Sequence, residues 1–176
     1  AHDNSGNLFF SDLQGLTNLS NSVSSDEGTT WKTNCAAAPN TPVDRQWFAP
    51  SGDLSNNTLQ LFEDYDAVNS GVSTGGANNV LVESYSTDGL TFTPLVSNPP
   101  PADCLGSSGA APVANCVTGD EGISGNQVRD PATGDVLIAH TNAKSSQVFV
   151  HRAKVTADAR TSTATATWTK SASLSA

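Results

Sequence analysis

Ser24-Ser25-Asp26-Glu27-Gly28-Thr29-Thr30-Trp31 separates two extended runs and has the chemistry of a tight reversal. A short Asp side chain accepts hydrogen bonds from the backbone N–H groups of a turn, and Gly tolerates the positive φ that the reversal needs. Thr30 and Trp31 then open the next strand. A degenerate copy stands at Ser86-Thr87-Asp88-Gly89-Leu90-Thr91-Phe92, one residue short and with Phe in place of Trp. A third unit keeps Thr167-Trp168 and lacks the Asp and the Gly.

Outward from these turns the chain shows almost no helical periodicity. Short apolar or alternating runs recur between clusters of Gly, Asn, Asp, Ser and Pro, the pattern of strands. Asn7–Ser11, Thr58–Phe62 and Asp135–Ala139 are three such runs, each after a turn: Asp3–Gly6, Pro50–Asp53 and Asp130–Gly134. A second extended run follows each, at Leu19–Ser25, Val80–Ser86 and Gln147–Val155. A third strand then opens on an aromatic residue: Trp31, Phe92 or Trp168. A further strand precedes the later turns, around Gln46-Trp47-Phe48 and Asn126-Gln127-Val128. The chain thus reads as about three four-stranded antiparallel units spaced at roughly 50 to 80 residues, as in propeller blades. Their expected bounds are residues 1–40, 41–100 and 121–176; a β-sandwich is the alternative.

The first turn fits the pattern S-x-D-x-G-x-T-W at every defined position. It resembles the Asp-box, or bacterial neuraminidase repeat, of sialidase-type β-propellers. The resemblance implies a structural motif: Ser24, Asp26, Gly28, Thr30 and Trp31 in the first copy, and Ser86, Asp88, Gly89 and Phe92 in the second. It also implies an aromatic side chain packed between blades, and boxes placed away from the active site. Such a motif identifies a scaffold and leaves the activity open.

Sialidases bind the substrate carboxylate with an arginine cluster and attack with a Tyr nucleophile, an exception to the two-carboxylate scheme. A guanidinium fork matches a planar carboxylate. Of the four arginines, Arg45 and Arg129 fall on the expected innermost strands and are the candidate ligand-facing pair. Ion pairs of Arg45 with Asp44, and of Arg129 with Asp130 or a neighbour, are the structural alternative. Glu63-Asp64-Tyr65-Asp66 leaves a central strand for an expected flexible loop and offers weak catalytic candidates in Glu63, Asp64 and Tyr65. Asp64, Asp66 and Asn69 offer the oxygen donors that calcium prefers, and a solvated acidic loop is the alternative. The Arg-Ile-Pro signature of many sialidases is absent, and no residue matches the family's Tyr/Glu pair by motif. His2, His140 and His151 have no metal-ligand spacing.

Composition narrows the classes further. Seventeen acidic residues against eight basic ones give a net charge of −9, the reverse of what a phosphate-tracking nucleic-acid binder needs. No apolar run approaches the ~20 residues of a bilayer-spanning helix. Cys104 and Cys116 bracket a Pro/Gly/Ala-rich loop and are the preferred disulfide, which leaves Cys35 over; free thiols in a cytosolic protein are the alternative. The 176 residues contain no Met. Sialidase-type propellers have about six blades. The expectation is therefore half of a propeller, an excerpt of a longer secreted or cell-surface domain completed by its other half or by a second chain. Functionally, the sequence points to a glycan-binding and glycan-hydrolysing propeller, or alternatively to a non-catalytic surface, adhesion or assembly module.

Overall fold

The computed structural model describes residues 1–38, 42–68, 79–104, 115–119, 124–142, 146–158, 163–170 and 174–175. Among them there is no α-helix, and the strands form three sheets in series, none closed on itself. The first joins β1 (Leu8–Gln14), β2 (Asn18–Ser24) and β3 (Lys32–Asn34). The second runs β4 (Val43–Ser51), β5 (Gln60–Val68), β6 (Asn79–Ser86) and β7 (Thr93–Pro94). The chain then sends β8 (Val96–Ser97) to the third sheet, while β9 (Cys116–Thr118) returns to β6. The third sheet holds β10 (Ser124–Arg129), β11 (Val136–Thr141), β12 (Gln147–Asp158) and β13 (Thr163–Lys170), with β14 (Leu174–Ser175) on β12.

Every pairing is antiparallel except β8 on β13. The expected all-β, serial antiparallel architecture is present, with changes of membership. Val96–Ser97 belongs to the third sheet, and Cys116–Thr118 joins the second from outside the expected units. Among the described residues the first sheet has three strands, and only an isolated bridge, His2 to Leu8, lies on the inner edge of β1. Trp168 sits near the end of β13 and does not open it.

The second sheet is sandwiched. One of its faces packs Leu61, Tyr65, Val80 and Val82 against Phe9, Leu19 and Val23 of the first sheet. The other packs Phe62, Leu81 and Tyr85 against Val136, Ile138, Ala153 and Ala166 of the third. Residues 61–67 and 80–85 are therefore buried without a break. A strand covered on both faces loses the polar-out alternation of a half-exposed one.

Turns at one end tie the first two sheets together. Asp3 accepts the N–H groups of Ser5 and Asn7 at 3.0 Å each, and its second oxygen accepts Leu54 N–H at 2.9 Å from the next sheet's turn. Ser5 also donates to Asp53, and Asn34 Nδ2 to the carbonyl of Leu90 at 2.8 Å. Gly89, at φ +73°, lies so close to the first sheet that a Cβ there would stand 2.7 Å from Val23 Cγ2 and 2.8 Å from the Phe9 ring. At Gly28, φ +87°, the nearest atom would be 3.6 Å away. Gly28→Ala is therefore expected to cost the left-handed backbone penalty alone, roughly 1–2 kcal/mol. Gly89→Ala adds an overpacking cost of about 1–3 kcal/mol. Urea unfolding of the two variants checks this, and equal losses would show that the Gly89 contact carries no weight.

Candidate functional site

The Ser–Asp–Gly turns have the geometry that their residues require. Ser24 Oγ donates to Asp26 Oδ1 at 2.8 Å and accepts Gly28 N–H at 2.8 Å. Asp26 in turn accepts the Thr30 N–H at 2.8 Å and the Thr30 hydroxyl at 2.6 Å. These bonds hold its carboxyl below the usual value. Ser86 and Asp88 repeat the arrangement: Gly89 N–H donates to Ser86 Oγ at 2.9 Å, and the N–H groups of Leu90 and Thr91 to Asp88 Oδ1 at 2.8 and 2.7 Å. Burial acts upward on Asp88, but its bonds to Thr91, Leu90 and Ser86 hold it low. Both carboxylates are committed to their own turns. Phe92 is buried and stacks on Phe48, with ring centroids 5.8 Å apart. Trp31 differs from the expected packed aromatic: it is 44% exposed, donates Nε1–H to Gly28 carbonyl at 3.0 Å, and borders a cleft with Leu54, Asp88 and Leu90.

Glu63, Asp64, Tyr65 and Asp66 are not on a loop. They lie inside β5 and are fully or almost fully buried. Strand alternation divides them between two faces. Glu63 and Tyr65 face the first sheet, where Glu63 accepts Ser11 Oγ–H at 2.8 Å and Asn21 Nδ2–H at 2.7 Å. Asp64 and Asp66 face the third. Glu83, which the sequence reading passed over, stands directly opposite Asp64 on β6. Period-two spacing from the core residues Leu81 and Tyr85 would have found it.

Burial pushes Asp64 and Glu83 well above the carboxylate range, and Asp66 adds to the effect on Asp64, as Asp64 does on Glu83. Gln127 of β10 lies beside both and eases them downward, while its Nε2–H donates to Trp47 carbonyl at 2.8 Å. Among the described residues no donor meets the oxygens of either carboxyl in good hydrogen-bond geometry. Held as acids, the two carboxyls carry their own O–H donors, which is the chemical solution for a dry cluster.

The arginines part company. Arg45 sits in a bulge of β4 between Asp44 and Trp47, at φ +51°, and pairs with Asp44 at 3.8 Å in an exposed position. The matching strand β10 has a register shift at the corresponding place, between Ser124 and Gln127. Arg129 instead covers the Phe62 ring, 4.6 Å from its centroid, and donates to Gln60 Oε1 at 3.1 Å. Its expected ion pair with Asp130 is taken by Arg152, which lies 3.9 Å from Asp130 and 2.6 Å from Asp135. The structure therefore does not bring Arg45 and Arg129 together as a fork.

What it does bring together is an open groove of about 330 Å³ between the inner strands. Gln46, Trp47 and Phe48 of β4, Asn126 of β10 and Phe10 and Ser11 of β1 line it. Trp47 is 43% exposed, and Gln46 Nε2–H reaches the Ser11 carbonyl at 3.4 Å. Among the described residues no three His, Cys, Asp or Glu side chains converge to hold a metal ion, Asp64 and Asp66 included. Asn69, the third calcium candidate, lies outside the described residues, as do Arg160 and most of the loop expected around 69–79. The Cys104–Cys116 disulfide forms as expected, and Cys35 is a free, exposed thiol. No helix among the described residues is long and apolar enough to cross a membrane.

No family model matches the chain, and no curated protein matches it.

Glu63 sets a pH dependence. Burial raises it from 4.5 to about 7, against the pull of its bonds to Asn21 and Ser11. The folded chain then binds more protons than the unfolded one between those values, so stability falls as pH rises through that window and levels off above it. The full loss is on the order of 3 kcal/mol. Glu63→Gln keeps the shape, and a flip of the Asn21 amide, which now gives Glu63 its Nδ2–H, turns the unpartnered Asn21 Oδ1 toward the new N–H₂. Its unfolding midpoint in urea is expected to change less than that of the wild type between about pH 5 and pH 8. Identical slopes would assign the titration elsewhere.

Proposed function

We propose that the chain is part of a secreted, sialidase-like Asp-box β-propeller that binds a glycan without hydrolysing it through the residues of this segment. The groove carries the reading. A half-exposed indole, Trp47, stands beside the amides of Gln46 and Asn126, with Arg45 two residues before it on the same bulge. An aromatic face takes the C–H face of a sugar ring, and amide groups exchange hydrogen bonds with its hydroxyls.

Three further observations support the scaffold half of the proposal. The two Ser–Asp–Gly turns close the same hydrogen bonds, and three sheets follow one another in series with β4 and β10 as their first strands. The disulfide suits an oxidising compartment. Among the described residues the inner edge of β1 is paired only near Leu8, and Phe10 beside it is exposed; both support completion by the rest of a propeller or by a second chain. The non-catalytic reading is favoured by the full burial of Glu63, Asp64 and Tyr65 between sheets.

Titration with sialyllactose and lactose, together with an assay for released sugar, tests this. Binding is expected without turnover, and Trp47→Ala weakens it by about tenfold through loss of the stacking face. Unchanged affinity in Trp47→Ala would remove the groove from consideration. Released sialic acid would overturn the non-catalytic reading.

A further inference from the structure

Register between neighbouring strands gives the three sheets a common frame. Leu8 opposite Ser24 in the first corresponds to Leu61 opposite Ser86 in the second and to Val136 opposite Ala153 in the third. In that frame Trp31, Phe92 and Trp168 are equivalent, and alternation turns each toward the sheet that precedes its own. Phe92 is buried in the core between the first and second sheets, and Trp168 packs against the core between the second and third. Trp31 is 44% exposed, because among the described residues no sheet precedes the first. Phe10, on the same rear face and at the rim of the groove, is 56% exposed.

The forward faces show the converse. Phe9 and Leu19 face forward into the first core, and their equivalents Phe62 and Leu81 into the second. The third pair, Leu137 and Val148, points away from the second sheet by the same alternation. Val148 is 37% exposed, and Val128, opposite Leu137 on β10, is 54% exposed. From Val136 to Ala139 β11 is apolar on both faces, the pattern of a strand covered on both. The rear face of the first sheet and the forward face of the third are thus the two halves of one further joint. We propose that a second copy of this chain supplies the missing half at each end, so that two chains close head to tail into one ring. This rests on the propeller reading above, and a ring of about six sheets falls within the propeller range. Charge favours a copy of this chain in both seats. At the first joint Gly89 sets the second sheet's turn against Val23 and Phe9. The same placement sets Asp26 and Glu27 of the first turn, both exposed, over the equivalents of Val23 and Ser25. Those are Arg152, already shared with Asp135 and Asp130, and Lys154, also exposed. Opposite signs thus meet across the joint, although the chain as a whole carries a net charge of −9.

Sedimentation equilibrium of the intact chain tests the assignment. At about 10 μM the wild type is expected at twice the 18.1 kDa of one chain. Ser22→Arg, on the rear face opposite Phe10, and Val148→Glu, on the forward face, each put a charge into both joints of the ring. Both positions are at least partly exposed, and each variant is expected to keep the wild-type circular dichroism. Each alone weakens association by at least about a hundredfold. Mixed in equal amounts, the two variants recover the dimer, since one joint is then wild type on both sides and the other sets Arg against Glu. A contact between like faces behaves otherwise: one of the two variants stays dimeric. That result, a monomeric wild type, or a mixture without recovery would overturn the proposal. Lactose titration of the Trp47 groove is read separately, so a monomer that binds lactose overturns the second copy and leaves the glycan reading standing.

Discussion

Burial of the second sheet on both faces is the constraint from which the rest of the structure follows. β5 and β6 form the wall shared by two cores, so every side chain from Leu61 to Ala67 must be accommodated in the dry. Apolar residues manage this by packing. Glu63 manages it with two short hydrogen bonds from β1 and β2, which makes the first sheet a solvating partner as well as a hydrophobic one. Asp64 and Glu83 meet it with carboxyls that burial pushes well above the ordinary range. The acidic surplus of the composition is thus partly internal.

The turns supply the complementary restraint. Asp3, Asp26, Asp53, Asp88 and Asp130 all sit at reversals, and backbone and side-chain donors hold the carboxyls of Asp3, Asp26, Asp88 and Asp130 below the ordinary range. Alternation of strand direction places these reversals at one end of the sheets. Arg45 and the bulges of β4 and β10 lie toward the other end, as do His140 and Lys170. The end with saturated carboxylates is structural.

Local chemistry was legible in the sequence, and its tertiary consequences were not. Asp26, Gly28, Asp88 and Gly89 announce their turns because the bonds they make are to residues within a few positions. The strands following Asp3, Pro50 and Asp130 were readable for the same reason. Glu63-Asp64-Tyr65-Asp66 read as a loop because charge ordinarily means solvent, and only knowledge of a sheet on each side reverses that inference. Arg129 read as an ion-pair partner of Asp130 because the two are adjacent, but adjacent residues in a strand point to opposite faces, and Arg152 on the neighbouring strand is better placed. The histidines failed a spacing test meant for metal ligands. What joins His151 to Trp168 is register between β12 and β13, which no linear motif records.

β8 gives the assembly a further property. Val96 and Ser97 leave the second sheet directly after β7 and close the outer edge of the third, pairing with Thr165 and Ala166 far downstream. Asn98 continues the lacing: its N–H donates to the Ala166 carbonyl at 2.9 Å and its carbonyl accepts the Thr167 hydroxyl at 3.1 Å. The last long strand of the chain is thereby stapled to a segment laid down before the third sheet exists. Loss of that strand would bare the seam of its predecessor, so the second and third sheets are joined by main-chain hydrogen bonds as well as by packed side chains.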